Sequence, residues 1–216
     1  MPYSSHLGLS LALDHAVRLR PRRILDVGVG FGKWGFLLRE ALDFIDGRVE
    51  REQWNVTIDG VDARGYDSPL PEWVYDDVRI GSVLDVADEL AGYDLVVMGD
   101  VIEHFEKADG LSLLRTLLER NRNVLLTTPF HYFGQEVEDN PYQRHRSHWT
   151  IDDFRPWTFD YDVAGGFLLV VLLAGRGAEL PRRADTRASR IAYGLPFLRS
   201  RGAAARVVKS LVRSLG

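Results

Sequence analysis

Hydrophobic positions along this chain follow two periods in turn. Leu7, Leu9, Leu11, Ala12, Leu13, Ala16, Val17 and Leu19 recur at roughly helical spacing up to Pro21, which predicts an opening helix over residues 5–19. Apolar runs rich in Val, Ile and Leu then predict strands at 23–28, 55–61, 76–80, 93–99 and 123–128. Helices are predicted near 32–45, 83–90 and 107–120, whereas the connection at 64–73 is rich enough in Gly and Pro that any helix there is short. Strands alternating with helices are the signature of a parallel α/β sheet. Further on, Thr150 can cap a short helix ending at Phe154, and Phe159–Val163 and Phe167–Ala174 flank Gly165-Gly166 as a terminal hairpin.

The chain has 216 residues, 45% of them hydrophobic, enough for one domain with a sizeable core and too few for two enzymatic domains. Cysteine is absent, which excludes disulfides, cysteine-held zinc, iron–sulfur radical chemistry and any cysteine nucleophile. The first ten residues carry no secretory pattern and no run of 18 apolar residues occurs, so a soluble, cytoplasmic protein is expected. The net charge of −4 hides an asymmetry: residues 178–216 hold nine Lys or Arg against two acids, which leaves residues 1–177 at −11. An acidic body argues against a broad nucleic-acid groove.

The first predicted strand runs from Ile24-Leu25-Asp26-Val27 straight into Gly28-Val29-Gly30-Phe31-Gly32. A glycine-rich turn between a buried strand and a helix lets the backbone approach a nucleotide-like cofactor, and the following helix N-terminus favours an anionic group. A dinucleotide fingerprint would place its third glycine at position 33, which is Lys33; here it comes one residue earlier, which disfavours NAD. At the tip of the second strand, in Ile58-Asp59-Gly60-Val61-Asp62, Asp62 is better placed than Asp59 to accept from ribose hydroxyls, because position 59 is interior to the strand.

Gly28-x-Gly30-x-Gly32 after Asp26 resembles motif I of the class I S-adenosylmethionine (SAM) dependent methyltransferases. Over residues 22–177 the order of elements is similar to that family's Rossmann-like, doubly wound, mostly parallel seven-stranded sheet, of order 3-2-1-4-5-7-6 with helices on both faces. The resemblance implies one methyltransferase domain over 1–177, with SAM as cofactor and S-adenosylhomocysteine as product. It puts Asp26, Gly28, Gly30, Gly32 and Asp62 at the cofactor. The adenine would dock near Ser82 and Val83, where this chain departs from the family's usual acidic residue. Asp85 reads as a cap or a solvated helix residue.

The fourth strand leads into Asp100-Val101-Ile102-Glu103-His104, which looks like the D-V-x-E-H segment of small-molecule and sugar methyltransferases. Methyl transfer to a hydroxyl needs a base that titrates near working pH, and His104 is one candidate, the alternative being a purely structural turn. Asp100 and Glu103 would line the cofactor or orient that base. No second cluster of oxygen ligands at readable spacing accompanies them, so no metal is expected.

Residues 131–149 form a long irregular segment holding His131, Tyr132, Tyr142, Arg144, His145, Arg146, His148 and Trp149, the make-up of an acceptor-binding lid for a polar ring. Asn140-Pro141-Tyr142 through His145 to Trp149-Thr150 resembles the N-P-x-x-x-H-x-S-x-W-(T/S) stretch of glycan-tailoring methyltransferases, which makes His145 the second candidate base. No Asn/Asp-Pro-Pro-Tyr/Phe run follows strand four, which turns the reading from amine to hydroxyl chemistry. The expected activity is O-methylation of a sugar, glycan or other small polar metabolite (EC 2.1.1 class). The rivals are a methyltransferase acting on RNA or protein and a SAM-binding protein without turnover.

In the tail, Ala204, Val207, Val208, Leu211, Val212 and Leu215 share one helical face, and Arg206, Lys209 and Arg213 lie opposite. Two readings stand open: a helix docked on its own domain or on a second copy, as in a homodimer, or residues 197–215 lying on the anionic inner face of a membrane. Under the second, full-length protein binds anionic vesicles in a salt-sensitive way and a chain ending at Gly177 does not. Equal binding of the two sinks it.

Overall fold

The computed structural model describes residues 5–65, 70–131, 142 and 144–181. The tail helix at 204–215, Tyr132 and the Asn140-Pro141 pair lie outside the described residues.

Seven strands form one sheet: β1 (Arg23–Val27), β2 (Thr57–Asp62), β3 (Asp77–Ile80), β4 (Leu95–Gly99), β5 (Asn123–Pro129), β6 (Thr158–Ala164) and β7 (Leu168–Ala174). Their order is β3-β2-β1-β4-β5-β7-β6, as the family resemblance implies. The first five are parallel and β7 runs antiparallel to both β5 and β6. Among the described residues five α-helices accompany the sheet: α1 (Leu9–Leu19), α2 (Lys33–Leu42), α3 (Leu70–Val74), α4 (Val83–Val86) and α5 (Lys107–Arg120).

Successive residues of a strand face opposite sides, so central strands covered on both sides are apolar throughout. Leu25, Val96, Met98, Leu126 and Val171 meet Leu113, Leu114 and Leu117 of α5 on one face. Ile24, Ile58, Leu95, Val97, Leu125 and Val170 meet Ala12 and Ala16 of α1 and Trp34 and Leu38 of α2 on the other. The first helix is tied to the far hairpin by His15, whose Nε2 lies 3.2 Å from an Asp162 carboxylate oxygen.

Element boundaries shift where tertiary contacts intervene. The opening helix starts at Leu9 rather than 5. The segment expected to be helical over 32–45 ends at Leu42, and a 3-10 turn at Phe44–Asp46 leads to Gly47 at φ 83. Asp43 breaks the helix because its carboxylate is drawn inward to accept from Asn55 N, Arg48 Nε and Arg39 Nη1. Similarly, the helix expected over 83–90 closes as α4 plus a 3-10 turn at Ala87–Glu89. The cap at Thr150 is present, reciprocated by Asp153 in a capping box.

Arg39 is fully buried; it pairs with Asp43 at 2.9 Å and Asp76 at 3.2 Å, donates to the Val56 and Val74 carbonyls, and stacks on Trp54 with 3.9 Å from guanidinium carbon to ring centre. One guanidinium thus ties α2 to the chain entering β2 and to α3. Replacement Arg39→Met leaves Asp43 with Arg48 as its one remaining guanidinium, takes the Arg39 donors from the Val56 and Val74 carbonyls, and is expected to cost about 3 kcal/mol in urea unfolding. Arg120→Met breaks only the exposed pair with Asp88 and is expected to cost less than about 1 kcal/mol.

Candidate active site

Strand order reverses between β1 and β4, so the turns leaving these two strands open a crevice at the C-terminal edge of the sheet. Gly28 continues the ladder by donating to Val61 O at 2.8 Å, and its φ of +86 favours glycine; a Cβ there would meet Val101 Cγ2 at 2.5 Å. Gly30 N donates to Asp62 Oδ2 at 2.8 Å, and Arg64 N donates to Asp62 Oδ1 at 2.9 Å. Gly32 caps α2. Beside this loop lies an open cleft of about 470 Å³ lined by Val29, Gly30, Asp62, Tyr75 and Ile80 among others.

This lining fits the cofactor that motif I implies. Each Asp62 oxygen uses one lone pair on a backbone N–H and keeps capacity for hydroxyl donors, while Val29 and Ile80 offer apolar surface to a ring. Asp59 faces elsewhere and accepts from the Tyr93 hydroxyl at 3.0 Å. Ser82 caps α4 by accepting from Leu84 N at 3.3 Å, and Val83 is buried in the core under α5; neither lines the cleft.

Asp26 sits beneath the loop with no exposure and accepts a hydrogen bond from the Tyr75 hydroxyl, which itself accepts from Gly35 N at 3.0 Å. Burial pushes its carboxyl up to about 7, only partly opposed by the Tyr75 bond. Asp26 thereby joins β1 to the start of α2 and to the residue after α3. The sequence carries no signal for Tyr75.

At the tip of β4, Asp100 adopts φ 55, a left-handed conformation uncommon for a residue with a side chain. Its carboxylate accepts from the Ser5 backbone N–H and, at 2.8 Å, from Thr127 Oγ1; Lys33 Nζ reaches the Ser5 carbonyl at 3.5 Å. Residues just before α1 therefore cross the mouth of the crevice, a contact sequence reasoning missed. Gly99 lies against the Trp34 indole, so that any side chain at this position would strike it.

A 3-10 turn at Ile102–His104 follows. Glu103 is 2% exposed; its Oε2 accepts from Thr128 Oγ1 at 3.0 Å and its Oε1 is buried with no hydrogen-bond partner. Burial, with Asp100 alongside, pushes this carboxyl well above the usual range. The His104 ring is held below its ordinary range by burial, and its Nδ1 lies 3.1 Å from the Arg144 carbonyl. A carbonyl only accepts, so Nδ1 carries the proton and Nε2 the lone pair of the neutral ring. His145 is buried too, its ring centre 5.1 Å from that of His104.

The end of the irregular segment is fixed rather than lid-like. Arg146 N and Ser147 N both donate to the Glu103 carbonyl, at 2.8 and 3.1 Å, and burial alternates so that His145, Ser147 and Trp149 point inward. Trp149 is fully buried, stacks on Phe154, donates to Ile102 O at 3.3 Å and packs under Lys107 with 3.9 Å from Nζ to the ring centre. It is an anchor for the segment and not a platform for an acceptor. Tyr142, Arg144, Arg146 and His148 stay exposed on the outward side. The geometry thus joins Glu103, His104 and His145 into one cluster whose donor atoms all lie within 4.8 Å of one another. Spacing along the chain, from which no metal was expected, cannot reveal a contact between residues 103–104 and 145.

A protein-family model described as a methyltransferase domain matches residues 7–158. Among solved structures, the chain is similar to the N-terminal domain of EvdMO1 with S-adenosylhomocysteine bound: 15% identity, TM-score 0.56, covering 80% of this chain and 83% of that one. The same domain in the presence of S-adenosylhomocysteine and D-fucose gives 14% identity and a TM-score of 0.55, covering 81% and 85%. A third, the Burkholderia thailandensis 1,6-didemethyltoxoflavin-N1-methyltransferase with its acceptor and S-adenosylhomocysteine, gives 19% identity and a TM-score of 0.54, covering 79% of each chain. No curated protein sequence matches.

Because the Asp26 pKa is raised from 3.8 to about 7 in the folded protein, folding favours its protonated form. Its stabilising contribution is complete below the unfolded value and is lost as pH rises through about 7. Asp26→Asn is expected to flatten the pH dependence of urea stability between pH 4 and 7, removing a decline on the order of 4 kcal/mol. An unchanged profile would place the Asp26 proton elsewhere.

Proposed function

The chain belongs to the methyltransferase-domain family of SAM-dependent enzymes, and we propose that it transfers the methyl group to a hydroxyl of a sugar, glycan or other small polar metabolite. The observation that carries this reading is the cluster of buried Glu103 and His145 with half-buried His104 in the turn that follows β4. A neutral hydroxyl is a weak nucleophile unless its proton is drawn off as it attacks, whereas a neutral amine attacks as it stands and can shed its proton afterwards. A cluster with two imidazoles equips the first kind of acceptor. The similarity to a fold neighbour crystallised in the presence of D-fucose agrees with a sugar-like acceptor.

Bound SAM supplies an electrophilic methyl group on a sulfonium sulfur. In this reading Gly28, Gly30 and Gly32 shape the turn that receives the cofactor, with Asp26 bracing it from below. Asp62 accepts from ribose hydroxyls, and Asp100 lines the crevice between loop and cluster. Ser82 and Val83, expected at the adenine, stand outside the cleft lining, where the Ser82 hydroxyl is committed to its cap and Ile80 supplies the apolar surface instead. His104 or His145 draws the acceptor proton. The exposed Tyr142, Arg144, Arg146 and His148 face the side from which a polar, ring-bearing acceptor would enter.

Calorimetric titration is expected to give micromolar binding of SAM and S-adenosylhomocysteine and none of NAD. Gly28→Ala forces a Cβ into Val101 at a left-handed backbone position and is expected to abolish cofactor binding. In a screen of nucleotide-linked and lipid-linked sugars, His104→Gln and His145→Gln are expected to lower kcat by about 100-fold or more while SAM binds normally. Unchanged kcat in both variants removes the cluster from the chemistry.

A further inference from the structure

We propose that Glu103, His104 and His145 bind one divalent transition-metal ion, whose open coordination positions receive the acceptor hydroxyl. The metal site stands on the cluster alone; the acceptor's place on it rests on the hydroxyl reading above.

Three observations point to a ligand set and not to a pair of independent bases. Glu103 presents an unpartnered, fully buried Oε1 while its other oxygen is satisfied by Thr128. A buried carboxylate oxygen with no donor is costly, and a cation is one way to satisfy it. His104 donates a hydrogen bond from Nδ1 to the Arg144 carbonyl, the outer bond that fixes a metal-ligating imidazole with its lone pair on the opposite nitrogen. His145 is delivered from 41 residues further along by a segment pinned to the Glu103 carbonyl through two N–H donors, so Glu103 holds by its backbone the ligand that its side chain would share.

Two imidazoles and one carboxylate suit zinc, manganese, iron or cobalt better than calcium or magnesium, which prefer oxygen donors alone. Three protein ligands leave positions open for a reactant oxygen. The donor atoms lie within 4.8 Å of one another; around an ion with bonds of about 2.1 Å, tetrahedral donors stand about 3.4 Å apart. Small side-chain rotations therefore complete the site.

A hydroxyl on such an ion is acidified. It releases its proton to water, its oxygen bonds to the methyl carbon, and the S–CH3 bond breaks with its electron pair left on sulfur. One methyl ether, one S-adenosylhomocysteine and one proton result. With the ion bound, this polarisation replaces the direct deprotonation assigned above to His104 or His145, and the two imidazoles serve as its ligands.

The test uses untagged full-length protein stripped with EDTA and titrated with Co²⁺, read by visible absorption and calorimetry. The expected result is one equivalent bound, displaced by Zn²⁺, with affinity reduced at least about 100-fold in Glu103→Gln, His104→Gln and His145→Gln, each of which still binds SAM. Loss in at least two SAM-binding variants supports the site. No Co²⁺ uptake by protein that binds SAM, or retained affinity in two or more such variants, overturns it. Because no acceptor is present, a metal site can be established even where the hydroxyl reading fails.

Discussion

A sheet covered on both faces has only its strand ends to offer to a ligand. In this protein the central strands β1, β4 and β5 are almost wholly apolar, and polar chemistry collects where they stop: Asp26 and the glycine turn, Asp100, and the Thr127-Thr128 pair. The reversal of strand order between β1 and β4 then separates the outgoing chains and leaves room between them. Every group assigned to the crevice is held at a strand tip or within a few residues of one, except His145.

That exception is supported by a different device. The 3-10 turn after β4 exposes the Glu103 carbonyl to two N–H groups of the incoming segment, and the buried Trp149 locks the segment's far end against α5. Gly110 on α5 permits the close approach, since a Cβ there would sit 2.6 Å from the indole. Position at the cluster is thus set by backbone hydrogen bonds and one aromatic anchor, which hold geometry more firmly than a long side chain would.

The strands and most helices were legible because period and punctuation agree along this chain, while the order of the strands followed from the family resemblance alone. Helix α5 is bounded as the pattern predicts, and the choice of Asp62 over Asp59 follows from where the strand ends. Boundaries failed where a side chain turned toward a distant partner, as Asp43 does toward Arg39, Arg48 and Asn55. Ser82 was legible as a polar residue after β3 but not as a cap, since the same hydroxyl serves either role. Trp149 looked like part of a binding surface because an aromatic in a polar segment carries no mark of which way it faces. The Glu103–His104–His145 cluster was legible only as separate residues, while the Thr127-Thr128 pair at the end of an apolar strand was a visible signal left unread.

The packing of α1 bears on the order in which the molecule can assemble itself. Its apolar face is covered partly by Trp34 and Leu38 of α2 and partly by residues of β5 and β7, its His15 is met by Asp162, and the residues just before it close on Asp100. Part of the apolar face of α1 therefore stays uncovered until the last strands have been made. The contact over the crevice spans 95 residues between Ser5 and Asp100, a closure that chain entropy postpones until the intervening sheet has shortened the path. The mouth of the site is consequently framed by a segment that precedes the sheet in the chain and is seated late.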